Sequence, residues 1–210
     1  GLVAGLATAF STSIWFSAVE GEVYAMSTMF TVMTLWAATK YYYIEDESEA
    51  LRWLVLSLFV SGMSVGVHLL SILSLPAIAL LVYYKKYKEH TIKGALIAMA
   101  AGVAAIVFIM KVVIVGIPTL WKNMELLFVN SFGLPVHSGI IPTLLIVAAV
   151  GYFGVKYAQK KGSQLLQVAA ISAILITVAF STIGVVVIRA NTDTPINMNV
   201  PGDAMRLLPY

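Results

Sequence analysis

The chain is a succession of apolar runs separated by short polar connections. A helix that crosses the hydrocarbon core of a bilayer needs about 20 mostly apolar residues, with a range of about 17 to 25. Measured against that length, the sequence predicts seven membrane spans, at residues 2–19, 22–43, 51–66, 68–85, 93–117, 139–157 and 165–188. The two short runs between residues 51 and 85 are compatible with two full spans or with a re-entrant hairpin.

Composition supports the membrane interpretation. The chain is 60% hydrophobic and only 11% charged, and its mean hydropathy is +0.92. Soluble domains are about 45–50% apolar and about 25% charged. The sequence therefore predicts an integral membrane protein of the all-α class, a polytopic helical bundle with the lipid bilayer as its partner. A formal charge of +3 is too small to indicate binding to nucleic acid, and the absence of cysteine excludes disulfides.

Basic residues predict the orientation of these spans. Nine of the thirteen Lys and Arg residues fall on one side of a seven-span arrangement. They are Lys40, Arg52, Lys85, Lys86, Lys88, Lys93, Lys156, Lys160 and Lys161. Short loops rich in Lys and Arg are usually cytoplasmic. The amino-terminal end is therefore predicted to be cytoplasmic and the carboxyl-terminal end extracytoplasmic.

Two segments do not read as spans. Residues 117–138 are interrupted by Pro118, Gly133 and Pro135, and their mixed composition predicts an amphipathic helix in the outer membrane interface. The tail from 191 to 210 loses its hydrophobic periodicity in favour of Asn, Pro and Asp. We therefore predict a transmembrane domain over residues 1–190 and an extracytoplasmic linker or loop over residues 191–210.

The stretch SAVEGEVYAMS, residues 17–27, places two carboxylates between apolar runs. In one continuous helix Glu20 and Glu22 would point about 200° apart, which would direct one of them towards lipid or packed protein. A turn at Gly21 removes that conflict and puts both acids at the outer mouth of the bundle, with Glu22 in the first turn of the next helix. The acids could simply cap helices there. The neighbouring aromatic and polar residues instead suggest a walled pocket; they are Trp15, Phe16, Ser17 and Tyr24.

Four blocks of the sequence resemble a known family. They read IWFSAVEGEVYAMSTMFTVMTLWA, RWLVLSLFVSGMSVGVHLLSILSLPAI, NSFGLPVHSG and RANTDTPINMNVPGDAMRLLPY. In this order they resemble the bacterial membrane family catalogued as domain of unknown function 2723, which is similar to the protein O-mannosyltransferase transmembrane protein 260. The resemblance implies a glycosyltransferase of the GT-C type in the bacterial cytoplasmic (inner) membrane. Such enzymes transfer a sugar from a polyprenyl-phosphate donor to a protein or other acceptor at the extracytoplasmic face.

The resemblance also implies which residues take part. An Asp-x-Gly-Glu type motif, expected to supply the catalytic base, does not occur in the chain and is expected upstream of Gly1, so the isolated segment is expected to be inactive. The substrate-binding residues implied within the chain are Glu20, Glu22, Tyr24, His68 and Arg189. No metal-binding residue is predicted, although paired acids could hold a divalent cation, so the cofactor stays open apart from the lipid-linked sugar donor.

Other interpretations of the same residues remain open. His68 could be an ordinary interfacial residue, and Arg189 could only anchor its helix at the membrane surface. A transporter or flippase would also account for many spans and for Lys111 within one of them, but the sequence shows no convincing internal repeat. A structural subunit of an envelope complex would use the acids as helix caps and the tail as a docking strap.

Overall fold

The computed structural model describes residues 1–21, 23–192 and 194–209. Those residues form helices, turns and loops, with no β-strand among them, which confirms the all-α prediction. Their contacts divide the chain into two compact units, Gly1–Val103 and Ala104–Tyr210. The division at residue 190 predicted from the sequence stays a prediction.

The first unit contains the amino-terminal helices. Its elements are α1 (Leu2–Ala9), α2 (Thr12–Val19), α3 (Val23–Tyr43), α4 (Glu47–Ser64), a 3-10 segment (Leu69–Ser74), α5 (Leu75–Lys86) and most of α6 (Ile92–Phe108). The second unit continues with a π-helical segment (Ile109–Gly116), α7 (Ile117–Leu126), a second π segment (Leu127–Ser131), α8 (Ile140–Lys160), α9 (Gln164–Phe180), a 3-10 turn (Ser181–Ile183), α10 (Gly184–Ala190) and α11 (Ala204–Leu207).

The number of candidate membrane spans is smaller than predicted. Within the described residues four helices are long and apolar enough to cross a membrane, at Leu69–Lys86, Ile92–Ser131, Ile140–Lys160 and Gln164–Ala190. A fifth is possible by length and composition if α1 and α2 count as one span, although they bend by 56°. The prediction of seven spans is therefore not confirmed.

The difference lies in α3 and α4. Helix α3 has 21 residues, enough for a span by length at about 1.5 Å per residue, but it carries several Ser and Thr residues and Lys40. Helix α4 begins with Glu47 and Glu49 and contains Arg52. These polar residues keep both helices out of the set that qualifies by hydropathy. Because α3 and α4 form a pair, omitting both leaves the predicted sidedness of the later loops unchanged.

The prediction that Pro118 interrupts the chain is wrong. Residues Ile92–Ser131 form one helical run of 40 residues, and Pro118 lies in the first turn of α7 directly after the π-helical segment. Proline lacks an N–H and its ring crowds the preceding turn. A wider π-helical turn before it relieves both conflicts. Residues 117–131 therefore continue the preceding helix, and their placement in the outer membrane interface stays a prediction.

Buried Ser and Thr side chains form hydrogen bonds that join the elements of the first unit. Ser57 on α4 donates to the backbone oxygen of Thr34 on α3 at 2.8 Å, and the Thr34 and Ser71 hydroxyls lie 3.2 Å apart. Ser74 donates to the Ser71 backbone oxygen at 2.6 Å. Small polar side chains let helix backbones approach closely, and their hydroxyls form hydrogen bonds between the helices. This network fixes the 3-10 segment, and with it His68, against α3 and α4.

Candidate functional site

The turn predicted in SAVEGEVYAMS is present. Gly21 has φ of +71°, a left-handed conformation that glycine adopts without a Cβ penalty. Glu20 caps the carboxyl end of α2, where its backbone N–H bonds to the Phe16 oxygen at 3.1 Å, and its side chain is exposed. Glu22, predicted in the first turn of the next helix, lies outside the described residues. The confirmed turn separates α2 from α3 where the sequence indicated.

The expected pocket wall around Glu20 is not formed by its neighbours within this chain. Trp15 is 58% exposed and Phe16 59% exposed, and no residue of α2 is buried. An eight-residue helix that buries no side chain makes few contacts of its own, so Glu20 lies on an open surface. The wall predicted from the aromatic residues is therefore absent from the described part of the chain.

Two of the predicted site residues do meet. The rings of Tyr24, in the first turn of α3, and His68, just before the 3-10 segment, have centroids 5.6 Å apart and are tilted by 53°. Residues 24 and 68 are brought together because α3 and α4 pack side by side and the turn after α4 returns the chain to the start of α3. We call Tyr24 and His68 the Tyr–His pair.

His68 is held in one orientation by its neighbours. Its Nδ1 accepts a hydrogen bond from the Leu70 N–H at 3.2 Å, capping the 3-10 segment. Its backbone oxygen accepts from the Ser64 hydroxyl at 2.9 Å, and its backbone N–H donates to the Ser64 oxygen at 2.7 Å. A neutral imidazole that accepts at Nδ1 carries its proton at Nε2. The local structure therefore leaves Nε2–H as a donor directed away from the cap.

The pair has the chemistry of a binding site for oxygen-rich groups. Tyr24 is 54% exposed and His68 is partly buried, so one side of the pair is open while the other is fixed by the turn. A phenol hydroxyl and an imidazole N–H can both donate to phosphate or sugar oxygens, and an aromatic ring can cover an apolar sugar face. The pair can bind and orient such a group.

Arg189 lies in the second unit, which is considered by itself. Its exposed side chain lines a shallow cavity of about 250 Å³ at the end of α10. Apolar side chains and the polar residues Thr194 and Asn197 complete the lining. Asn197 is fixed by a bond from its Nδ2 to the Ala190 oxygen at 2.9 Å. A guanidinium beside an apolar lining can bind an anionic group that carries an apolar chain.

Sequence reasoning missed a buried carboxylate in the second unit. Glu125 on α7 is 2% exposed, and its two carboxylate oxygens accept the backbone N–H groups of His137 and of Gly139, the latter at 2.9 Å. His137 has φ of 73°, and the His137 and Trp121 ring centroids lie 6.4 Å apart. The carboxylate thus occupies the amino-terminal end of α8, where its charge is favourable. A lone acid among apolar residues in NMELLF was the available signal.

The described residues contain no group of three or more His, Asp or Glu side chains placed to hold a metal ion. A divalent cation bound only by protein needs six or more oxygen ligands, and Glu22, the second acid of the predicted pair, lies outside the described residues. The possible divalent cation and the lipid-linked donor both stay predictions.

Comparison with known proteins gives one match. Residues 1–91 match the family model described as the Protein O-mannosyl-transferase TMEM260 N-terminal domain. The predicted similarity to transmembrane protein 260 is confirmed over those residues, which include the first two of the four blocks and the Tyr–His pair. No curated protein and no solved structure matches the chain.

Proposed function

We propose that the chain is part of a membrane glycosyltransferase of the GT-C type that transfers mannose or another hexose from a polyprenyl-phosphate sugar to a protein or other acceptor. The observation that carries the proposal is the Tyr–His pair within the segment that is similar to the O-mannosyltransferase domain. In this proposal Glu20, Glu22, Tyr24 and His68 contact the sugar and its phosphate. In the second unit, taken by itself, Arg189 contacts an anionic group.

The reaction is a displacement at the anomeric carbon. The bond from that carbon to the donor phosphate oxygen breaks, and its electron pair leaves with the polyprenyl phosphate. A new bond forms to the acceptor hydroxyl oxygen with inversion of configuration, while the acceptor proton passes to a carboxylate base, which we place outside residues 1–210. The His68 Nε2–H would stabilise the developing charge on the leaving phosphate by donating a hydrogen bond.

We further propose that the reaction takes place at the extracytoplasmic face of a bacterial cytoplasmic membrane. If each candidate span crosses the membrane once, the lysine-rich connections after α5 and after α8 are both cytoplasmic by the positive-inside rule, and this count supports the proposal. Gly21 and His68 are then at the opposite face, whether α3 and α4 both cross the bilayer or neither does. By the same count of membrane spans, the tail after Ala190 is also extracytoplasmic.

A sharp test separates the binding role of His68 from its role as a cap. In His68→Asn the amide oxygen can replace Nδ1 as the acceptor of the Leu70 N–H, because Asn is a good amino-terminal cap, but the Nε2–H donor is lost. We expect a loss of sugar transfer of at least about tenfold, because a hydrogen bond to a charged group contributes about 1.5–3 kcal/mol and each 1.4 kcal/mol is tenfold. The readout is transfer of radiolabelled mannose from polyprenyl phosphate mannose to a Ser/Thr peptide by membranes holding the intact protein.

Two further variants complete this test. Tyr24→Phe keeps the ring contact with His68 and removes the hydroxyl, so we expect a smaller loss of transfer. Tyr43→Phe, at the other end of α3 and 78% exposed, is the matched control and should leave transfer unchanged. Full transfer by folded His68→Asn would refute the role of the pair, and the absence of any transfer by the unmodified protein would refute the proposed activity itself.

A further inference from the structure

The turn between α5 and α6 is a basic surface in the first unit that side-chain hydrogen bonds hold in place. It joins two candidate membrane spans, Leu69–Lys86 and Ile92–Ser131, so it lies at a membrane surface. We infer that this turn, residues 83–94, is a binding site for the headgroup of an anionic phospholipid. We call it the lysine turn. The inference does not depend on the proposed transferase activity.

Tyr83 organises the lysine turn. Its phenol oxygen accepts the Thr91 N–H at 2.9 Å, and its hydroxyl reaches the Thr91 backbone oxygen at 3.4 Å. Gly94 permits this arrangement, because a Cβ there would lie 2.5 Å from the ring carbon that bears the hydroxyl. Thr91 in turn caps α6 by accepting the Gly94 N–H at 3.0 Å. The two helix ends are therefore locked to each other across the turn.

Aromatic side chains fill the turn beside Tyr83. The His90 ring lies 5.0 Å from the Tyr84 ring, edge to face, and 5.9 Å from the Tyr83 ring. Its Nε2 donates to the Tyr84 backbone oxygen at 3.1 Å. Tyr84 is 39% exposed and Tyr87 is 56% exposed. Exposed tyrosines at a membrane surface settle at the level of the lipid headgroups.

The lysines of this turn divide into two kinds. The Lys85 ammonium turns inward, donating to the backbone oxygens of Tyr41 and Ile44 at the end of α3, with its charge 4.8 Å from the Tyr41 ring centroid. Lys85 therefore links α5 to the end of α3. The outward lysines are the exposed ones, Lys86, Lys88 and Lys93.

The outward lysines are not neutralised locally. Glu89 is the acid within the turn, and among the described residues it forms no ion pair with them. The turn thus presents two net positive charges, fixed on a rigid support and flanked by exposed tyrosines. This combination matches a phosphodiester headgroup with acyl chains alongside, since the phosphate meets ammonium groups while the chains lie along apolar helices.

The inference is tested on the intact protein in detergent, by native mass spectrometry during titration with phosphatidylglycerol or phosphatidylcholine. Near a membrane surface each lysine strengthens anionic lipid binding about fivefold. The triple variant Lys86→Gln, Lys88→Gln and Lys93→Gln should therefore lower the association constant for phosphatidylglycerol by about a hundredfold. Phosphatidylcholine binding should not change.

Matched variants distinguish an ordered site from overall charge. Lys156→Gln, Lys160→Gln and Lys161→Gln remove the same charge from the connection after α8 and should leave most of the phosphatidylglycerol binding intact. Tyr83→Phe keeps every lysine but removes the acceptor of the Thr91 N–H, and we expect a loss of about threefold from weaker ordering of the turn. Gly94→Ala, which displaces the Tyr83 ring, should lose more.

Three results would overturn the inference. An equal loss in the two triple variants would show that only total charge matters. Unchanged binding in both Tyr83→Phe and Gly94→Ala, with helix content intact by circular dichroism, would show that the turn is not an ordered site. Competition by free glycerol phosphate at the same concentration as the lipid would show that a soluble phosphate is the ligand.

Discussion

The two units differ in the buried side-chain hydrogen bonds that join their elements. In the first unit many weak hydroxyl contacts join α3, α4 and the 3-10 segment, through residues such as Thr34, Ser57 and Ser71. In the second unit one buried carboxylate, Glu125, receives two backbone N–H groups from the loop before α8. Shared hydroxyl networks distribute stability over several residues, whereas a buried charge concentrates it at one residue.

This difference explains how each unit tolerates an apolar environment. A hydroxyl left without one partner can bond to a carbonyl of its own helix, as Thr31 does to Ser27 at 2.9 Å. A buried carboxylate has no such local alternative, because its own helix offers no free N–H at that position. The first unit should therefore respond mildly to the loss of a single hydroxyl, and the second should be sensitive at Glu125 and its partners.

The largest effect is expected at Glu125. Glu125→Leu leaves the N–H groups of His137 and Gly139 without acceptors, at about 1–3 kcal/mol each, so we expect the free energy of unfolding to fall by about 4 kcal/mol. The measurement is reversible unfolding in mixed detergent micelles, together with hydrogen exchange at residues 137–139. Glu89→Leu, at an exposed position, is the control and should change stability by less than about 0.5 kcal/mol.

Glu125→Gln sharpens the same comparison. The amide keeps one oxygen acceptor and loses the other, so it should show about half the destabilisation of the leucine variant. If both substitutions leave the stability and the exchange rates of the loop unchanged, the second unit does not depend on this carboxylate, and the contrast between the units fails.

The next largest effect is expected where backbones approach most closely. In Gly139→Ala the new Cβ would lie 2.6 Å from Cα of Glu125, and in Gly102→Ala it would lie 2.7 Å from the nitrogen of Pro76. Neither neighbour is a flexible side chain, so we expect each variant to lose about 3 kcal/mol of stability. Gly154→Ala, in open space on α8, should instead stabilise the protein by up to about 1 kcal/mol.

These glycine variants also compare the two units directly. The Gly139 contact involves the same backbone that Glu125 holds, so its loss should expose residues 137–139 to exchange. Gly102 lies in the first unit, where several other contacts join the helices. For the same loss of stability, amide hydrogen exchange near Gly102 should therefore rise less than it does at residues 137–139 in Gly139→Ala. Similar exchange profiles in the two variants would argue against the comparison.

The elements that could be predicted from the sequence are those whose formation depends on residues close to one another in the chain. The turn at Gly21 followed from the conflict between two acids on one helix. The span predicted at residues 22–43 from its apolar length is present as a helix over Val23–Tyr43, although not as a candidate membrane span. The predicted single span over residues 2–19 bends by 56°, because the Ser11 hydroxyl bonds back to the Thr8 oxygen and ends α1. Such competition between side chain and backbone is not visible in hydropathy.

The candidate site was predictable only in part. Tyr24 and His68 were singled out separately, but their contact depends on how α3 and α4 pack, which one sequence does not specify. Glu125 was missed because its partners are backbone N–H groups 12 and 14 residues further along the chain. Nearly every residue has such a donor, so the sequence does not indicate which ones bind the carboxylate. Glu20 was placed correctly at the turn, although its neighbours do not enclose it.

The smallest expected effect tests the hydroxyl network itself. Thr34→Val and Ser71→Ala each remove one of the two hydroxyls that lie 3.2 Å apart, and each should lower stability by about 1 kcal/mol. In a double-mutant cycle the pair should show a coupling energy of about 0.6 kcal/mol, typical of hydroxyl contacts between membrane helices. Coupling above about 2 kcal/mol would mean that the first unit concentrates its stability as the second does. Both units would then depend on a single buried polar contact, and they would differ only in whether that contact is made by hydroxyls or by a carboxylate.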